Sequence, residues 1–271
     1  MFNKIKESAN YLAEKTSNFA PKSGIILGTG LGDLVNEVKI KYEIDYEDIP
    51  HFPLSTLETH KGKLIFGHLE KNPVVIMQGR FHYYEGYNLN QVALPVRVMK
   101  LLGIKNLLVS NAAGGLDSTF KKGDLMIIND HINQFPGNPL VGKNIDELGS
   151  RFPDMSQPHD KNLILKANNI AKKNNLNIQN GVYVGLPGPM LETPAEYKYL
   201  SIIGGNAVGM STIPEIIAAK HMNLKCFACS IITDICYGKI KPVNIQDIIS
   251  VAMHAEPQLT FLFKKLIKKI N

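Results

Sequence analysis

A chain of 271 residues, 44% hydrophobic and 20% charged, is long enough for a sizeable core and too apolar for disorder. No apolar run approaches the roughly 18–20 residues of a membrane helix. The opening Met1-Phe2-Asn3-Lys4-Ile5-Lys6-Glu7-Ser8 lacks the apolar centre of a secretion signal, so a cytoplasmic location is expected. The net charge of +6 admits nucleic acid as a partner, but the lysines are scattered. Their densest cluster, Lys264-Lys265 and Lys268-Lys269, reads as the solvated face of a terminal helix. No nucleic-acid or membrane partner is expected, and a basic surface equally suits a small anionic substrate.

In chain order, Lys4 to Thr16 reads as an amphipathic helix with Ile5, Ala9, Leu12 and Ala13 as its apolar stripe. Gly24-Ile25-Ile26-Leu27 is a buried strand running into Gly28-Thr29-Gly30-Leu31-Gly32. Lys63 to His68 and Pro73 to Met77 form a hairpin turning at Leu69 to Asn72. Leu89 to Leu102 is a helix stopped by Gly103. Lys105 to Val109 is a strand opening into a small-residue turn, Ser110-Asn111-Ala112-Ala113-Gly114-Gly115-Leu116. Asp124 to Ile128 is a further strand, and Asn133 to Pro158 a long loop rich in Pro, Gly and Asn.

Lys161 to Asn174 is helical and Gly181 to Val184 extended. Thr193-Pro194-Ala195-Glu196 supplies a cap, an N1 proline and an early carboxylate for the next helix. Ala207 to Met210 ends a strand, Ile213 to Met222 is a helix, Leu224 to Ile232 a buried strand, and Ile245 to Ile270 a closing helix. Strand–helix alternation with no repeat or linker predicts one α/β domain over residues 1–271 with a mixed sheet. Cys226 and Cys229 have C-x-x-C spacing, but residues three apart on a strand face opposite sides. They read as core thiols, and no metal or organic cofactor is expected.

Five strand ends carry glycines or unusual polar groups: Gly28–Gly32, Gly79–Glu85, Ser110–Leu116, Met210–Thr212 and Thr233-Asp234. Such ends are where α/β proteins bind ligands. Gly28-x-Gly30-x-Gly32 departs from the dinucleotide fingerprint because its third glycine falls one residue early. The chain has only three arginines, Arg80, Arg97 and Arg151, and one stands in Gly79-Arg80-Phe81-His82-Tyr83-Tyr84-Glu85-Gly86. A planar guanidinium fork beside an imidazole suits phosphate or carboxylate.

Gly28–Gly32, Gly79–Gly86 and Ser110–Leu116, followed in order by Gly188-Pro189-Met190-Leu191-Glu192-Thr193 and Gly209-Met210-Ser211-Thr212-Ile213-Pro214-Glu215, resemble the trimeric-type purine nucleoside phosphorylases, a family that includes methylthioadenosine phosphorylase. Asp130-His131-Ile132-Asn133 and Arg151-Phe152-Pro153-Asp154-Met155-Ser156 extend the likeness over nearly the whole length. The resemblance implies a partly barrel-like central sheet and phosphorolysis of a purine nucleoside to base and pentose 1-phosphate. Phosphate is then a co-substrate. It also implies a homotrimer, with Phe135 or Phe152 lent to a neighbour's ribose.

By position, Thr29, Arg80, His82, the Ala112 N–H and Ser211 would bind phosphate, with His60 assisting. Tyr84 and Met210 would contact ribose, and His254 the 5′-hydroxyl. Glu192 would accept from N1–H of a 6-oxopurine, and Asp234 would serve N7 of the leaving base. Glu192, Asp234 and His82 are the expected catalytic groups, with Phe81, Tyr83 and Glu85 as support.

The chain departs from the family pattern in its purine site. Thr29 stands where Ser is frequent and Leu191 where an aromatic is frequent. Asp234 replaces the Asn usual in 6-oxopurine enzymes, so it can donate only when protonated. The methylthioadenosine branch has Asp there too, but its second Asp corresponds to Cys236, and it lacks the glutamate found at Glu192. Inosine and guanosine are the expected substrates, with Asp234 extending acceptance toward 6-aminopurines. Methylthioadenosine phosphorylase is the alternative, and a basic nucleic-acid-binding module is the non-enzymatic one.

Overall fold

The computed structural model describes residues 1–28, 32–54, 61–240 and 242–270. Nine strands make one sheet: β1 (Ser23–Leu27), β2 (Lys39–Asp45), β3 (Lys63–Leu69), β4 (Asn72–Gln78), β5 (Asn106–Gly115), β6 (Leu125–Asn133), β7 (Ile178–Gly185), β8 (Ala207–Gly209) and β9 (Lys225–Ile235). Their order is β2-β3-β4-β1-β5-β8-β7-β6-β9, and a further β5–β9 pairing closes the last five into a ring. The sheet is mixed and part of it is a barrel, as expected. β1, β4, β5 and β9 run parallel, so their C-terminal ends share one edge.

Helices cover both faces: α1 (Phe2–Lys15), α2 (Leu89–Val92), α3 (Leu94–Leu101), α4 (Lys161–Lys173), α5 (Pro194–Ile202), α6 (Ile213–His221) and α7 (Ile245–Ile267). Ile5 and Leu12 of α1, Val96 of α3 and Ile216 of α6 pack on one face with Ile26 and Leu107. Leu163 and Ala167 of α4 and Leu259 and Leu262 of α7 pack on the other with Ile25 and Leu108. Adjacent strand residues thus feed opposite cores, as a period of two requires. Cys226 belongs to the first core and Cys229 to the second, so the two thiols face apart.

Three elements differ from expectation. The helix over 89–102 is broken at Ala93, because Pro95 has no N–H for the turn before it. The segment Ser110–Gly115 is no turn: it continues β5, paired with β9 as far as Gly115↔Ile235. Its small residues serve close approach rather than chain reversal. A Cβ on Gly114 would lie 2.5 Å from Cys236 Sγ and 3.1 Å from Asp234 Oδ2. Finally, β2 is an edge strand rich in exposed charge, paired among the described residues only with β3. Such composition blunts an edge against further pairing and hides the strand from hydrophobic patterning.

Candidate active site

The shared C-terminal edge of the parallel strands opens into a cavity of about 590 Å³. Arg80, His82, Ala112 and Ser211 line one part of its wall. Tyr84, Met210, Glu192 and Asp234 line the rest. Eight of the eleven expected site residues therefore share one space. Thr29 and His60 lie outside the described residues. His254 is exposed on α7 and does not line the cavity; the residues of α7 that do are Ile245, Ile248 and Ile249. His254 falls off that face because it stands nine residues after Ile245, two and a half helical turns on.

Arg80 follows β4 and is 1% exposed. One terminal nitrogen donates to Ser211 Oγ at 2.7 Å and Thr212 Oγ1 at 3.2 Å, and the other donates to the Ser110 carbonyl at 2.7 Å. Its Nε is 3.6 Å from Glu215 Oε1, also buried. The fork is thus fixed before any anion arrives, which lowers the ordering cost of binding. Ser211 and Thr212 stand at the N-terminus of α6, where backbone N–H groups favour anions. Thr212 holds φ = 71°, a strained conformation for a β-branched residue. Its hydroxyl also accepts from Asn111 Nδ2 at 2.8 Å and lies 3.2 Å from Ser211 Oγ, so three partners hold it there.

His82 is oriented by Glu85, whose Oε1 lies 2.8 Å from the His82 N–H and 2.9 Å from Nδ1. The carboxylate holds the ring proton on Nδ1. Burial pushes the imidazole below its ordinary pKa, with Glu85 opposing the shift. Tyr84 stacks on the ring at 4.7 Å between centroids, and burial pushes its phenol up to about 12. Glu85 therefore supports the imidazole, as its place in the motif implied.

At the opposite end, Asp234 is buried at the end of β9. Its Oδ1 accepts from Thr233 Oγ1 at 2.9 Å and its Oδ2 from the Cys236 thiol at 3.2 Å. Glu192 precedes α5, and burial raises its pKa, with the charge of Asp234 adding to the rise and the neighbouring Tyr197 phenol opposing it. Tyr197 and Cys236 also line the cavity. Sequence reasoning treated Cys236 only as a departure, gave Thr212 and Glu215 no role beyond their place in a motif, and passed over Tyr197. Tyr197 was readable only through its place one helical turn beyond the Thr193 cap. Among the described residues, no three His, Cys, Asp or Glu side chains are grouped to hold a metal ion.

A family model described as the phosphorylase superfamily matches residues 22–268. This chain belongs to that superfamily. It is similar to purine nucleoside phosphorylase 1 of Geobacillus stearothermophilus, 45% identical over 267 residues, covering 98% of this chain and 97% of the relative. It superposes on a schistosoma purine nucleoside phosphorylase in complex with hypoxanthine, with a TM-score of 0.93 and 43% identity. That match covers 99% of this chain and 98% of the other. A Schistosoma mansoni purine nucleoside phosphorylase in complex with adenosine matches with the same TM-score, identity and coverage. The family named from the five sequence segments agrees with all three, as does the fold.

Proposed function

We propose that the protein is a purine nucleoside phosphorylase that catalyses reversible phosphorolysis of purine (deoxy)ribonucleosides. Supporting this is the cavity that brings an Arg80–His82–Ser211 anion clamp and a Glu192–Asp234 carboxylate pair to one space. Phosphate attacks C1′ as the C1′–N9 bond breaks, and the products are the base and pentose 1-phosphate. No activated side-chain nucleophile is needed. The clamp positions the phosphate, and catalysis comes from placement and from charge stabilisation of an oxocarbenium-like sugar. Tyr84 and Met210 take the ribose. Glu192 accepts N1–H of a 6-oxopurine, and Asp234 serves N7 of the departing base.

Thr29 and His60 complete the phosphate site by resemblance. The 5′ end of the sugar meets the apolar Ile245–Ile249 face of α7 rather than His254. Inosine and guanosine are the preferred substrates. Methylthioadenosine is the second reading, favoured by Asp234 and opposed by Glu192. The working form is a cytoplasmic homotrimer. Phe152, 87% exposed, is the aromatic lent to a neighbour, because Phe135 is buried against Tyr83 in its own subunit.

The test is release of hypoxanthine from inosine with and without phosphate, beside guanosine, adenosine and methylthioadenosine. Phosphate-dependent release from inosine supports the assignment. A preference for methylthioadenosine by orders of magnitude would replace it.

A further inference from the structure

The first turns of α7 present Ile245, Ile248 and Ile249 to the cavity. Their i, i+3, i+4 spacing puts all three on one helical face, and the exposed Gln246 and Asp247 between them do not line it. The backbone donors of this turn are spent. Asn244 Oδ1 accepts from the Gln246 N–H at 2.9 Å. The Asn244 carbonyl accepts from the N–H of Asp247 at 3.1 Å and of Ile248 at 3.2 Å. Among the described residues, α7 therefore gives the cavity alkyl groups and no side-chain donor or acceptor. Ile245 is 57% exposed although it lines the cavity, which leaves apolar surface for a ligand to cover.

The stereochemistry of a nucleoside decides which of its groups meets this face. In a β-nucleoside the base and the 5′ carbon project from one face of the sugar, and the 2′ and 3′ hydroxyls from the other. Phosphate attacks C1′ opposite the base, on the hydroxyl face. With phosphate at Arg80 and Ser211, the two hydroxyls turn toward Tyr84 and Met210, and the 5′ carbon turns to the side that holds the base. That side is the end of β9, and the chain passes from Asp234 there into the first turn of α7. The 5′ group then meets the three isoleucines.

Building on the nucleoside assignment above, we propose that the enzyme also acts on 6-oxopurine nucleosides whose 5′-hydroxyl is replaced by hydrogen or an alkylthio group, with Ile245, Ile248 and Ile249 as the specificity-determining face. A hydroxyl set against that face gives up water and finds no partner on it, which weakens binding. A methyl or methylthio group loses nothing there and covers Ile245. The bonds that change are those cleaved in inosine: a phosphate oxygen joins C1′, the C1′–N9 bond breaks, and the proton of hydrogen phosphate ends on the base. The products are hypoxanthine and the 5-deoxy- or 5-alkylthio-pentose 1-phosphate, with the carbon–sulfur bond untouched. Glu192 keeps the base a 6-oxopurine, which separates this substrate class from methylthioadenosine.

Steady-state rates on inosine, 5′-deoxyinosine and 5′-methylthioinosine test this. Both modified nucleosides are expected to match inosine in kcat/KM or to exceed it by up to about thirtyfold. Ile248→Asn and, at the more exposed position, Ile245→Asn place an amide beside the 5′ carbon. Each should lower the 5′-deoxyinosine-to-inosine ratio of kcat/KM by at least about threefold, whereas lost packing alone slows both nucleosides alike. Ile245→Asn carries the test if Ile248→Asn does not fold.

A kcat/KM for 5′-deoxyinosine below that for inosine overturns the proposal and leaves the phosphorylase assignment standing. An unchanged ratio in Ile245→Asn does the same. Methylthioadenosine cleaved faster than 5′-methylthioinosine overturns it as well, because the base selected is then not a 6-oxopurine. Cleavage of none of these nucleosides removes the phosphorylase assignment itself.

Discussion

The guanidinium Nε of Arg80 lies 3.6 Å from Oε1 of Glu215, and the two side chains are 2% and 3% exposed. Arg80 is therefore part of the core as well as of the cavity wall. Arg80→Ala is expected to abolish phosphate-dependent turnover and also to cost about 3–5 kcal/mol of stability, because it leaves a carboxylate buried without its cation. The double variant Arg80→Gln with Glu215→Gln should recover most of that stability and none of the turnover. Denaturant unfolding beside steady-state rates separates the two effects. A fully stable Arg80→Ala would show that Glu215 does not depend on the pair.

Glu85 bonds the cavity-lining His82, and in the proposed site it would act on phosphate only through that ring. Glu85→Gln keeps the shape and weakens the hold on the Nδ1 proton, so the phosphate KM should rise about fivefold to fiftyfold while the base preference stays unchanged. A change in base preference with constant phosphate KM would contradict this placement.

Glu256 sits in α7 and accepts from the Asp33 N–H at 2.6 Å, capping a 3-10 turn whose own cap residue, Gly32, has no side chain. Burial raises its carboxyl from 4.5 to about 7. Because the folded value lies above the unfolded one, its contribution to stability is whole below pH 4.5 and falls away as pH rises to about 7. Glu256→Gln should match the wild type near pH 4.5 and exceed it by about 2–3 kcal/mol at pH 8. Thermal unfolding at the two pH values checks this; a variant less stable at pH 8 would contradict it.

Thr212 pairs a strained backbone with hydrogen bonds to Arg80 and Asn111. Thr212→Gly should relax the strain and lose both bonds, leaving stability within about 1–2 kcal/mol of wild type while lowering kcat/KM for phosphate at least tenfold. Equal phosphate dependence in the variant would mean the strained turn serves packing alone.

The alternation of Ile25, Ile26 and Leu27 between two cores follows from strand geometry and was legible in the sequence. So was one end of the cavity, because Arg80 and His82 follow a single strand terminus. The β5 extension through Ser110–Gly115 was not: small residues read locally as a turn, and only the approach of β9 makes them strand. Tyr197 and Glu215 were hidden for a similar reason. Each looks like an ordinary helical residue until the fold brings Glu192 and Cys236 to one, and Arg80 to the other. His254 does not line the cavity because helical phase, not nearness in sequence, selects the face of α7.

Phosphorus NMR of the enzyme with inosine and inorganic phosphate follows the bond on which the account depends. The predicted result is a pentose 1-phosphate signal growing in step with hypoxanthine and with loss of the phosphate signal. Hypoxanthine appearing with free ribose and undiminished phosphate would contradict it.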